Sequence, residues 1–176
     1  MNDTAISNLI NEYIETTTYL KEQKEISKVI NLSQHYKKIL LLSCASLYEK
    51  IFTDEIQRII AQKTGNDALK NLFYNKSIKQ QYFKFFDWKE SKGNINGFLK
   101  LFGNELYTKI HFEINQNEEL KQGMDAFLKL GYNRNLLVHE NFIEYTLDKT
   151  FEEIQSLHNL AYPFLIYLMK ALEQYI

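Results

Sequence analysis

Two side chains in the stretch GYNRNLLVHEN, residues 131–141, have the chemistry to act on a phosphodiester. Arg134 offers a forked, permanently charged donor that matches the oxygens of a phosphate. His139 carries an imidazole, which takes up and returns a proton near neutral pH. In RNA the 2′-hydroxyl beside each phosphate is an internal nucleophile, so cleavage of RNA by such a pair does not require a metal ion.

The spacing of Arg134 and His139 limits how they can act together. On an unbroken α-helix, five residues separate them by about 140° and about 7.5 Å of rise, which places the two side chains on different faces. They converge only if the helix loosens near His139, or if a second copy of the segment approaches across a two-fold axis. A structural role also stays open, in which the pair satisfies carbonyl groups at a helix end or pairs with Glu140 or Glu144.

The rest of the chain has the pattern of a helical protein. Apolar residues recur at helical spacing, and the chain has only six Gly and one Pro. These patterns predict long helices over about residues 4–30, 34–63 and 150–175, with the motif on a helix of its own. The predicted N-terminal caps are Asp3 or Thr4, Ser33, Asn66 or Asp67, Asn117 and Thr150, and Gly65 is a predicted stop. We therefore expect one all-α domain over residues 1–176, a bundle of about four main helices with short helical insertions.

Composition narrows the class of protein further. The formal net charge is −1 and the pI is about 6.4, so an anion must be held by a local cluster rather than by a global basic field. The single cysteine, Cys44, lies in an apolar run and is expected to be structural. The N-terminus lacks a signal-peptide pattern, and no apolar run approaches the ~20 residues that span a bilayer. For these two reasons we expect a cytoplasmic protein with no membrane partner. The other histidines, His35, His111 and His158, lack metal-ligand spacing, and the chain has no glycine-rich nucleotide-binding motif, so we expect no metal or cofactor.

A second segment, NKSIKQQYFKFFDWK at residues 75–89, alternates lysines with aromatic residues. Lys84 and Trp88 are its candidates for holding the phosphates and stacking the bases of single-stranded RNA. The opposite arrangement also explains the pattern, with the aromatic rings packed inward and the lysines in solvent. That arrangement is the more common one for such a composition.

The motif and its surroundings resemble a known family. RNLLVH at residues 134–139 resembles the R-x(4–6)-H signature of HEPN domains, in which a polar residue, often Asn, commonly follows the Arg. ILLLSCASLYEKIF resembles the long early helix of the RiboL-PSP-type branch, and NINGFLKLFGN with DAFLKLGYNRNLLVHENF resembles its later half. The likeness extends from about residue 35 onward.

The resemblance implies an all-α HEPN bundle that forms a homodimer, in which two motifs share one cleft. Many such proteins are metal-independent endoribonucleases, often toxins or phage-defence effectors, and a toxin would have a neutralising antitoxin protein as a partner. Carried to this chain, the resemblance implies that Arg134 stabilises a phosphorane-like transition state, that His139 transfers protons, and that Asn135 positions the motif or the phosphate. Glu49 stands where related domains often have an acidic residue on the early helix, but a solvated or paired carboxylate is the better explanation for it.

Two functions from different classes follow as hypotheses. The first is a metal-independent endoribonuclease of HEPN type that acts on RNA. The second is a non-catalytic HEPN-like module that dimerises or binds a nucleotide or protein, with Arg134 and His139 as a structural pair. The acidic pI argues against a broad affinity for RNA in either case.

Overall fold

The computed structural model of the protein describes residues 3–79, 81–140 and 142–176. These residues form eight α-helices and one π-helical turn, Tyr74–Ile78, and their only strand-like pairing is a single bridge between Asp87 and Asn94. The helices are α1 (Thr4–Glu22), α2 (Ile26–Thr64), α3 (Asp67–Phe73), α4 (Tyr82–Phe85), α5 (Asn96–Lys100), α6 (Asn104–Gln116), α7 (Glu118–His139) and α8 (Phe151–Tyr175). The prediction of an all-α bundle with short helical insertions is confirmed.

Three long helices enclose the core. Helix α8 packs along α7 and α2, and α1 also packs on α2. The side chains between them are large and almost fully buried, as Tyr48, Phe127 and Phe164 illustrate. Gly123 lets α7 approach α8 closely, because a Cβ atom at this position would lie 2.7 Å from the Cβ atom of Phe164. Within the described residues, no helix has both the length and the apolar character needed to cross a membrane.

Most of the predicted helix ends are confirmed. The side chains of Asn66 and Asn117 each accept two backbone N–H groups of the helix that follows them, and Thr150 forms a reciprocal capping box with Glu153. Gly65 ends α2 in the left-handed conformation, with φ 60°. Asp3 stands at the N-terminal cap position of α1 without using its side chain as a cap.

The predicted boundary between the first two long helices was wrong. The break lies at residues 23–25 rather than near residues 30–34, and Ser33 lies inside α2, where its hydroxyl donates to the carbonyl of Val29. Lys24 makes the turn with φ 58°, and the N–H of Glu25 donates to the carbonyl of Leu20. This pattern is a Schellman motif, which normally has Gly at the position that Lys24 occupies. A lysine there gives no sequence signal for a helix end.

Candidate active site

Helix α7 carries the motif without interruption. It begins after the Asn117 cap and ends at His139, where the N–H of Glu140 still donates to the carbonyl of Leu136. Leu137 is buried, with 1% of its surface exposed, whereas Val138 is 48% exposed and His139 is also exposed. The helix therefore uses Leu137 to anchor itself in the core and presents His139 to solvent at its C-terminal end.

Arg134 is half-buried, and side chains of its own chain hold its guanidinium group. The Cζ atom of Arg134 lies 3.6 Å from the centre of the Phe83 ring, which is a stacked cation–π contact. One guanidinium nitrogen, Nη1, donates to Oδ1 of Asn135 at 3.2 Å. Burial lowers the pKa of Arg134, and the nearby charge of Glu49 opposes that shift. The group nonetheless stays charged at neutral pH, because an arginine pKa lies far above neutrality.

Phe83 is in turn held by its neighbours in the chain. Its carbonyl oxygen accepts a hydrogen bond from Nε1 of Trp88 at 2.8 Å. The Trp88 ring lies directly against the backbone of α7 at Gly131, where an added Cβ atom would come within 2.1 Å of it. Only a residue without a side chain allows this contact. Gly131 therefore lets Trp88 pack against α7, and the hydrogen bond from Trp88 holds Phe83 under Arg134, which lies one turn after Gly131 on the same helix.

Glu49 on α2 acts on the same cluster through its charge. The carboxylate opposes the lowering of the Arg134 pKa, and it adds to the rise in the pKa of Tyr82, for which burial is the main cause. The positive charge of Arg134 has the opposite effect on Tyr82. The structure thus brings Glu49, Arg134 and Asn135 into one region of the surface. Phe83 lies in the same region, and its contact with Arg134 was not predicted from the sequence.

His139 is not part of that cluster within one chain. Because α7 is unbroken between the two residues, the helix does not loosen in the way that would bring His139 to Arg134. Among the described residues, neither Arg134 nor His139 forms an ion pair with Glu140 or Glu144. Of the two ways in which Arg134 and His139 could converge, loosening of the helix is not seen, and the approach of a second copy stays a prediction.

The loop after His139 is held by two buried lysines of α2. Nζ of Lys38 donates to the carbonyl of Phe142 at 2.6 Å and to that of Ile143 at 3.3 Å, and Nζ of Lys37 donates to the carbonyl of Leu147 at 2.6 Å. Burial lowers the pKa of Lys37, and the adjacent charge of Lys38 lowers it further. Consecutive lysines on a helix suggest a solvated face, so the role of these two residues in organising the loop is not evident from the sequence.

The aromatic and basic segment is mostly part of the packing. Tyr82 and Phe86 are buried, and Trp88 is half-buried with its ring on Phe127 and Gly131. Lys84 is exposed on the other side of the segment. The arrangement is the one with rings inward and lysines outward, and contact of Lys84 and Trp88 with RNA stays a prediction.

Comparison with known proteins gives one result. The model of the RiboL-PSP-HEPN family matches residues 7–176, which extends the resemblance noted from the sequence to most of α1. Neither a curated protein nor a solved structure matches the chain. Because the family match spans nearly the whole chain, this protein belongs to the RiboL-PSP-HEPN family.

Proposed function

We propose that this protein is a metal-independent endoribonuclease in which Arg134 and His139 act on the RNA phosphodiester. The observation that carries the proposal is the fixed guanidinium group of Arg134, stacked on Phe83 at 3.6 Å, on the same helix as an exposed imidazole in a HEPN-family chain. A cation that is already held in position stabilises the negative charge of a transition state, because it does not have to reorganise during the reaction. Phosphoryl transfer has such a transition state.

The reaction that fits these groups is an internal transesterification. An imidazole removes the proton from the 2′-hydroxyl, the O2′–P bond forms, and the P–O5′ bond breaks. A proton is then delivered to the departing O5′ atom, which leaves a 2′,3′-cyclic phosphate and a 5′-hydroxyl. Arg134 stabilises the charge on the non-bridging oxygens, and Asn135, which accepts a hydrogen bond from Arg134, holds the guanidinium in register.

The site that we propose is shared by two copies of the chain. Arg134 and His139 lie about 140° apart around α7, so a two-fold axis that brings two α7 ends together would place the arginine of one copy near the histidine of the other. We expect light scattering to give a mass of twice 21.0 kDa at micromolar concentration. A monomer under those conditions would contradict a shared site.

The test is cleavage of structured and unstructured RNAs in excess EDTA, with end-group analysis of the products. We expect cyclic phosphate ends from the unaltered protein and a loss of activity of about 100-fold or more in Arg134→Ala and His139→Ala. His111→Ala is the matched control, since His111 is another exposed histidine on a different helix. Mixing the two inactive variants should restore part of the activity if each site takes its arginine and histidine from different copies.

The rival function has an observation in its favour. The contacts that hold Arg134 come from its own chain, namely Phe83, Asn135 and the charge of Glu49, which is also what a structural arginine would show. In that case the protein is a non-catalytic module that dimerises or binds a nucleotide or protein. Inactivity on all RNAs, together with a marked loss of stability in Arg134→Ala, would favour this function.

The proposal includes a biological role for the RNA cleavage. An endoribonuclease of this family would act in the cytoplasm as a toxin or a phage-defence effector, and a neutralising antitoxin protein would restrain it. Arrest of growth on expression of the unaltered protein, but not of His139→Ala, would support that role. Growth of both strains at the same rate, with active enzyme present, would count against it.

A further inference from the structure

An apolar recess lies beside α4, which contributes Phe85 to its lining. Its volume is about 530 Å³, and nine of its eleven lining side chains are apolar, with Lys76 and Gln81 as the exceptions. Phe52 and Phe98 form its buried floor. Such a lining receives apolar groups, because only two side chains are available to satisfy polar ones.

The rim of the recess continues as an exposed apolar surface. Leu101 lines the recess and is 67% exposed, and Phe73 lines it from the end of α3. Helix α3 has no buried residue, and Leu69 lies one turn before Phe73, on the same face of that helix. A contiguous apolar surface of this kind on a folded chain marks an interaction site.

The segment that supplies most of the lining of the recess differs in charge from the rest of the chain. Residues 63–102 contain eight lysines against three acidic residues, a net charge of +5, whereas the remaining residues carry −6 to reach the total of −1. Lys76 lies in the lining itself, and Lys100 is exposed next to Leu101. An occupant that complements this surface is apolar on one face and acidic on the other.

We propose that this recess is the docking site for an acidic amphipathic helix of a partner protein. The apolar face of that helix would place its anchor side chains between Phe73 and Leu101, and its carboxylates would face Lys76 and Lys100. Single-stranded RNA matches the charge but fits the recess less well, because stacking of bases needs open ring faces and Phe73 is the one exposed ring among the five phenylalanines of the lining. The proposal concerns binding alone and does not depend on catalysis.

The docked helix would also contact the element that supports Arg134. Phe85 lines the recess, and Phe83, two residues earlier on α4, carries the guanidinium of Arg134. Two residues on a helix are about 200° apart, so α4 presents one ring to each site. A partner at the recess would therefore rest on the same short helix that positions Arg134.

The test uses a fluorescein-labelled peptide of about 16 residues, with Leu and Phe at i, i+3, i+4 and i+7 spacing and Glu elsewhere. Fluorescence anisotropy should show binding at about 1–100 µM that weakens as salt is added. Leu101→Glu should weaken binding about tenfold or more, whereas Phe112→Glu, which replaces a 63% exposed phenylalanine on α6, should leave it unchanged. Thermal melts of both variants establish that they are folded.

The proposal is wrong if no binding is detected at about 1 mM peptide, or if the Leu101→Glu protein binds the peptide as tightly as the unaltered protein. It is also wrong if a control peptide with Lys in place of Glu binds as tightly as the acidic peptide. Displacement of the peptide by a single-stranded RNA oligonucleotide would assign the surface to RNA instead.

Discussion

Replacement of Gly131 by alanine tests the contact on which the position of Arg134 depends. An added Cβ atom would lie 2.1 Å from two carbon atoms of the Trp88 ring, whereas ordinary contact begins near 3.4 Å. The ring would have to retreat by about 1.3 Å, the difference between those two distances. It has little room to do so, because it packs on Phe86 and Phe127 and donates a 2.8 Å hydrogen bond to the carbonyl of Phe83.

The expected cost has three parts. Overpacking costs about 1–3 kcal/mol, and loss of the partly buried hydrogen bond from Trp88 costs about 0.5–1.5 kcal/mol. Alanine regains about 1 kcal/mol over glycine inside a helix. The net loss of unfolding free energy is therefore about 2 kcal/mol at the centre of the range, which for a chain of this size lowers the melting temperature by about 4–8 °C.

Urea and thermal unfolding followed by circular dichroism measure this effect. The matched control is Gly97→Ala, because a Cβ atom at Gly97 would meet only the carbonyl of Phe85, at 3.8 Å. We expect that variant to be neutral or more stable by up to about 1 kcal/mol. If Gly131→Ala is as stable as Gly97→Ala, the Trp88 ring does not lie against α7, and Gly131 does not position Phe83 and Arg134.

Two further predictions concern stability. Leu137→Ala should lower the unfolding free energy by about 2–5 kcal/mol because it opens a cavity in the core, while His139→Ala, at an exposed position, should change it by less than about 1 kcal/mol. Thermal melts that give the reverse order would contradict the placement of α7. His158 is buried, with Nδ1 bonded to the hydroxyl of Tyr48, and burial lowers its pKa while the carboxylate of Asp3 near Nε2 opposes the shift. The unfolded state therefore binds a proton more readily, so stability should fall as the pH drops below about 6.5, and urea titrations at about pH 7.5 and about pH 5.5 should show a smaller fall in His158→Asn.

The fold class and the family could be predicted from the amino-acid sequence alone. Helical spacing of apolar residues predicts α2 and α8, since each helix must bury one face, and Asn66, Asn117 and Thr150 have the side chains that cap a helix start. The order Arg134, Asn135 and His139 also suggested the HEPN resemblance that the family match confirms. These signals are local, because each depends on residues within a few turns of one another.

The surroundings of the motif, by contrast, depend on contacts between distant parts of the chain. Phe83 lies under Arg134 although the two are far apart in the chain, and a pattern of local spacing contains no information on such a contact. Lys38 has the composition of a surface residue, yet it is buried because the carbonyls of the loop after His139 satisfy its ammonium group. Lys24 turns the chain where glycine would be expected, since the packing of α1 on α2 outweighs the local preference of lysine. Each of these outcomes depends on which distant groups the folded chain brings together, and local preferences do not specify that.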